Sequence, residues 1–210
     1  MTALYLLRHG ETEWSRSGRH TSRTDLSLTP TGARRAGDAG RLLGTMRGGE
    51  QPALVASSPR TRALRTAELA GLSVGLVTED LAEWDYGEYE GLTTPQIRET
   101  VPGWTVWTHP CPGGETAAQV AARATRVLER VRAALSDGDV ILVGHGHFSR
   151  VLVATWLSLG PESGVHFGLE AAAVSVLGDE RGTPQVKRLN VPPVLDWEGG
   201  DAGSAGTKGS

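Results

Sequence analysis

One pattern constrains this 210-residue chain more than any other: a strand-length apolar run breaks off into polar residues and is followed by a stretch of helical period. Ala3-Leu-Tyr-Leu-Leu7 ends abruptly in Arg8-His9-Gly10. Thr29-Pro30 then supplies a capping hydroxyl and a proline at the first helical position, and Ala33, Ala36, Gly40, Leu43 and Met46 follow at helical spacing. The pattern repeats with a buried strand at Ala53–Ala56 and a helix expected to be capped by Ser58-Pro59 and to carry Ala63, Ala67 and Ala70. Val74–Val77 reads as a further strand. Between Thr116 and Leu135, Val120, Ala124, Val127, Leu128 and Val131 form one apolar face, and Arg123, Arg126, Glu129, Arg130 and Arg132 read as its solvated side. Val140–Val143 is another buried strand, with a helix expected through Leu159 and closing strands at Ala172–Leu177 and Val186–Asn190. Strands alternating with helices predict an α/β fold, a three-layer sandwich whose largely parallel central sheet is flanked by helices.

Length and composition narrow the class. The chain is of one-domain size, expected over 1–195, with a long excursion over 81–114 that reads as a lid or wall. Trp84, Tyr86, Tyr89, Trp104 and Trp107 crowd into that excursion, fitting core packing and a substrate wall equally well, and one short helix is expected near Pro95–Thr100. Residues 196–210 hold five glycines and almost no apolar side chain, so a disordered tail is expected there. A net charge of −3 and a pI of about 6.1 give no electrostatic footprint for a nucleic-acid partner. No apolar run approaches the roughly 20 residues of a membrane span, and no secretory signal is evident. Cys111 is the single cysteine, which excludes an internal disulfide and fits a reducing, cytoplasmic compartment.

In a parallel sheet, ligands bind outside the carboxyl ends of the strands. Arg8 and His9 follow the first strand, Ser57, Ser58, Arg60 and Arg62 the second, and His145 the Val140–Val143 strand. Arginines beside helix N-termini make an anion site, and phosphate is the common anion that needs one. A histidine is not required merely to hold phosphate; neutral imidazole among arginines, its pKa depressed by their charge, suits a nucleophile toward phosphorus. The leaving oxygen then needs a proton. Glu83, set among aromatics expected to raise its pKa, and Asp85 both qualify, and residue chemistry leaves the choice open. His145 and His147 also have the His-x-His spacing of a metal pair, though no acidic residue follows closely.

Six ordered blocks carry a resemblance. Leu7-Arg8-His9-Gly10-Glu11-Thr12, Asp25–Gly32, Ser57–Ala63, Glu83–Gly87, Gly113–Thr116 and Val143–Gly146 resemble the histidine phosphatase superfamily, the phosphoglycerate mutase-like proteins, and cover nearly everything except the tail. The resemblance implies that His9 becomes a phosphohistidine. It implies that Arg8, Arg62 and His145 bind the phosphoryl group and that Glu83 is proton donor and then base. It also implies a phosphoglycerate mutase-like fold with no metal and no cofactor. Arg62, rather than Arg60, occupies the family's Ser-x-x-x-Arg-Ala position.

Mutases of this family carry a lysine shortly after the Tyr-Gly block, where this chain reads Gly91-Leu-Thr-Thr94, and an arginine pair in a segment that here runs from Trp107 to Gly114 without arginine. The missing cations favour hydrolysis over transfer between hydroxyls, with a mutase and a non-catalytic phospho-ligand-binding domain as the alternatives. Gly18-Arg-His-Thr21, Glu83–Gly91 and Gly146-His-Phe-Ser-Arg150 resemble actinobacterial acid phosphatases and sedoheptulose-bisphosphatase-like members. That analogy puts Ser15, His20, Thr21, Ser22, Gly146 and Arg150 on the substrate side and allows a second phosphate, although His20 and Arg150 would need no function as ordinary exposed or salt-bridged residues. The expected substrate is a small phosphorylated metabolite such as a sugar phosphate or bisphosphate. The alanine-rich helices are compatible with a homodimer or a monomer.

Overall fold

A computed structural model describes residues 2–193. Six strands form one sheet: β1 (Leu4–Arg8), β2 (Leu54–Ser57), β3 (Leu76–Val77), β4 (Val140–Gly144), β5 (Val174–Glu180) and β6 (Thr183–Val191). Their order is β3-β2-β4-β1-β5-β6. The first four in that order run parallel, whereas β5 and β6 close the sheet antiparallel. The α/β class read from the sequence therefore holds, and only the closing edge departs from parallel pairing.

The central strands are apolar at consecutive positions because both their faces are covered. Period-two alternation divides their side chains between two cores. Leu4, Leu6, Val140, Leu142 and Leu177 point to the face covered by α5 (Ala117–Ala134) and α6 (Gly146–Trp156). Tyr5, Leu7, Ile141, Val143 and Val176 point to the other face, against Ala39 and Leu43 of α2 (Pro30–Met46) and Ala63 and Ala67 of α3 (Thr61–Leu69). Two short helices complete the set, α1 (Glu13–Ser17) and α4 (Thr94–Thr100). The excursion does contain the expected short helix, and its Trp84, Tyr86 and Trp104 are buried in the α5/α6 core.

Several local expectations change. Ser58 does not cap α3: the cap residue is Arg60, without a side-chain bond, and Asp25 from a distant loop accepts from the Thr61 N–H at 2.9 Å. This relieves Ser58 of capping duty. The helix after His145 stops at Trp156 rather than Leu159, giving way to a 3-10 turn over Pro161–His166. Arg123 belongs to no solvated face; its guanidinium is nearly buried against Glu115 and lies 4.8 Å over the Phe148 ring. The tail expectation for 196–210 lies outside the described residues.

Candidate active site

The sheet register sets the site. Arg8, the last residue of β1, pairs with Gly144, the last of β4, and the His9 N–H donates to the Gly144 carbonyl at 2.9 Å. His9 and His145 therefore emerge side by side at the carboxyl edge, their rings 5.1 Å apart. Gly10 is forced by packing: a Cβ there would stand 2.5 Å from the Gly32 carbonyl oxygen of α2. Its N–H donates to Thr66 Oγ1 at 2.9 Å, which ties the His9 loop to α3.

The His9 ring has a determined tautomer. Its Nδ1 lies 2.7 Å from the Gly10 carbonyl, which can only accept, so Nδ1 carries the proton and neutral imidazole keeps its lone pair on Nε2. Burial, reinforced by the positive charges of Arg8 and then Arg62, holds the His9 pKa well below 6.5. The arginines thus act in the expected direction, but desolvation is the larger cause.

Around this ring, polar atoms are buried without partners. Arg62, in the first turn of α3, is fully buried; its terminal nitrogens donate to the carbonyls of Thr24, Thr21 and Ser22, while Nε has no partner. Arg8 Nη1 donates to Leu169 O, and its Nε is likewise unpaired. His145 holds Ser58 Oγ through Nε2 at 2.7 Å and leaves Nδ1 unpaired. Buried polar groups are rarely left unsatisfied. Two guanidinium Nε–H groups and an imidazole nitrogen beside one neutral histidine form a receptor for a compact oxyanion.

Glu83 is buried at the N-terminus of α6. Its carboxylate accepts from the backbone N–H groups of Trp84 (2.9 Å), His147 (3.0 Å) and Phe148 (2.7 Å), the latter two in the first turn of α6. Arg123 clamps the same loop, donating to the carbonyls of Asp80 and Ala82 and pairing bidentately with Glu115. Glu115 in turn accepts from the Asp85 N–H at 3.0 Å. Asp85 faces away, paired with Arg23 at 2.5 Å and accepting from the Gly87 N–H. Geometry thus separates the two carboxylates that residue chemistry left level: Glu83 lines the cleft with Arg8 and His9, and Asp85 does not.

The cleft wall contains Ser15, His20, Thr21, Gly146 and Arg150. Their polar atoms are partly committed. Ser15 Oγ serves the α1 capping box with Thr12, and Thr21 Oγ1 donates to Arg19 O. His20 Nε2 lies 3.2 Å from Thr94 Oγ1, and burial pushes its pKa down to about 4. Arg150 donates to the carbonyls of Gly164 and Val165 and stacks 4.6 Å over Trp107. Ser22 departs from expectation: its hydroxyl and N–H both go to Glu90, and it is absent from this wall because Glu90 reaches it from the excursion. The cleft is also lined by Gly18, Arg19, Tyr86, His147 and Leu169, none of them among the substrate-side residues expected from the sequence, although Tyr86 belongs to the aromatic set read there as packing or substrate wall. His147 could have been found from its place two residues beyond His145, in the helix turn that opens on the same edge. The His145/His147 pair does not converge on a metal position, since one ring turns to Ser58 and the other to Tyr86. Among the described residues no group of three or more His, Cys, Asp or Glu could hold a metal ion.

Comparison with known proteins follows this geometry. Residues 4–192 match the model of the histidine phosphatase superfamily, branch 1. An acid phosphatase of Mycobacterium tuberculosis is 50% identical over 188 residues, covering 90% of this chain and 92% of that protein. A sedoheptulose 1,7-bisphosphatase of Saccharomyces cerevisiae is 34% identical over 183 residues, covering 74% and 67%. The solved structure of a Mycobacterium tuberculosis open reading frame product superposes with a TM-score of 0.88 at 48% identity, covering 92% of this chain and 99% of that one.

Proposed function

This chain belongs to the histidine phosphatase superfamily, branch 1, and from that premise we propose that it hydrolyses small phosphorylated metabolites through a phosphohistidine formed on His9. The observation that carries the reading is the trio of buried, unpartnered polar atoms, Arg8 Nε, Arg62 Nε and His145 Nδ1, gathered around a histidine whose free lone pair is on Nε2. A phosphoryl group would satisfy all three and present its phosphorus to that lone pair. In the first step the His9 Nε2–P bond forms as the ester P–O bond breaks, and Glu83 gives its proton to the leaving oxygen. In the second, the Glu83 carboxylate takes a proton from water, the hydroxide attacks phosphorus, and inorganic phosphate departs with His9 neutral again. Ser15, His20, Thr21, Gly146 and Arg150 would then meet the organic part of the ester. The names of the similar proteins, an acid phosphatase and a sedoheptulose 1,7-bisphosphatase, support sugar phosphates or bisphosphates as the substrate class.

The test is phosphate release from a panel of phosphorylated metabolites in excess EDTA, with 3-phosphoglycerate plus bisphosphoglycerate assayed alongside for mutase flux. Steady release without mutase flux is expected. Mutase flux would mean that the missing lysine and arginines do not prevent transfer, and silence in both assays would favour a phospho-ligand-binding domain.

A further inference from the structure

We infer that His147 is a specificity-determining residue that offers one uncharged N–H to a hydroxyl on the organic part of the ester, and that Tyr86 is the positioning residue that sets it in that form. The inference rests on the phosphatase reading above. His147 lies in the first turn of α6, and its backbone N–H holds Glu83, so its ring stands on the cleft wall beside the leaving-group side. The ring makes one hydrogen bond, between Nδ1 and the Tyr86 hydroxyl at 2.6 Å, and Nε2 makes none among the described residues.

The direction of that bond follows from the two groups' surroundings. The Tyr86 hydroxyl has no other hydrogen-bond partner among the described residues, so its proton has only His147 Nδ1 to go to, and burial, followed by the charge of Glu83, drives the phenol well above its ordinary pKa and keeps that proton on it. Burial, followed by the charges of Arg150, His20 and Arg8, holds His147 well below 6.5 and therefore neutral. A neutral imidazole that accepts at Nδ1 must carry its hydrogen on Nε2. Ring contacts limit its rotation: Trp107 lies edge-on at 5.2 Å, Tyr86 at 5.9 Å and His20 at 5.9 Å. The product is a fixed, neutral donor next to the phosphate receptor. A second phosphate would call for a cation at this position, whereas a hydroxyl oxygen is satisfied by a neutral N–H. A wall built to hydrogen-bond a hydroxyl disfavours esters that lack one, because its own donor is then left unpaired.

The experiment compares kcat/KM for glycerol phosphate and ethyl phosphate, esters of similar leaving alcohols that differ in neighbouring hydroxyls. The readout is the ratio between the two esters in wild type, His147→Leu, His147→Gln and Tyr86→Phe. Wild type is expected to prefer glycerol phosphate, and His147→Leu to lower the ratio about tenfold, mostly through KM, as loss of one hydrogen bond would. His147→Gln, whose amide nitrogen falls near the Nε2 position, restores most of it. Tyr86→Phe removes one oxygen, frees the tautomer and lowers the ratio in part, so it carries the test even if His147→Leu does not fold. Equal losses on both esters, or an unchanged ratio in both variants, would overturn the inference while leaving the phosphatase reading intact. Wild type that releases phosphate from the metabolite panel but from neither of these esters would overturn this inference alone, whereas silence on the panel as well would remove the phosphatase reading and this inference with it.

Discussion

At His9 a single hydrogen bond decides which ring nitrogen keeps a lone pair. Donation from Nδ1 to the Gly10 carbonyl leaves the lone pair on Nε2, and burial beside Arg8 and Arg62 keeps the ring neutral. His9→Ala is accordingly expected to reduce turnover by on the order of 10⁴-fold or more, as removal of a covalent nucleophile does. Glu83 admits a sharper test, because a proton donor matters most when the leaving alcohol is a poor one. The parameter kcat/KM reads only the steps up to phosphoryl transfer. For Glu83→Gln it should fall roughly 10²–10³-fold on an alkyl phosphate and less than about tenfold on 4-nitrophenyl phosphate. Equal losses on both esters would argue against proton donation by this carboxylate.

Between elements, the site depends on close backbone approach. The β1 loop can lie on α2 and α3 only because Gly10 and Gly32 carry no side chain: a Cβ at Gly32 would meet the Glu11 carbonyl oxygen at 2.3 Å. The crossing of α2 and α3 has the same character, since a Cβ at Gly40 would stand 2.3 Å from the Ala70 carbonyl oxygen. Gly40→Ala must push the helices apart and should cost about 1–3 kcal/mol in urea unfolding. Gly37 lies one turn earlier on α2, with its nearest neighbour, Leu69 O, at 3.7 Å, so Gly37→Ala should be neutral or slightly stabilising through helix propensity. If the two variants unfolded alike, the crossing would not be as tight as described. Arg123 shows how a helix residue at an outward-reading position can serve the site: through Glu115 and three loop carbonyls, α5 holds the strand of chain that carries Glu83.

Across the whole molecule, four histidines are kept neutral by burial: His9, His20, His145 and His147. Unfolding would return each to an ordinary pKa near 6.5. Below that pH the unfolded chain binds more protons than the folded one, so their contribution to stability is complete above about 6.5 and is lost as pH falls toward the depressed folded values, about 4 for His20. The urea midpoint should therefore drop between pH 7 and pH 5, a window in which ordinary carboxylates remain ionised. A midpoint that stays flat across that window would mean these rings are not held neutral in the folded state.

Much of this protein follows from properties that are local in the chain. Apolar runs such as Leu4–Leu7 and Val140–Val143 declare strands buried on both faces, and the residues at their carboxyl ends, Arg8, His9 and His145, fall at one sheet edge whatever the details of packing. The helix cap at Thr29 was equally legible, because a hydroxyl cap and the amide it serves lie only three residues apart. Tertiary structure decided the rest. It set Glu83 on the cleft wall and turned Asp85 to Arg23, moved Ser58 from a helix cap to His145, drew Ser22 to Glu90 and joined Tyr86 to His147. Each of those outcomes turns on a hydrogen bond to a residue about 60 or more positions away. No local periodicity encodes such a partner; it is set by which strands and helices the fold brings together and by the cost of leaving a buried polar atom unpaired.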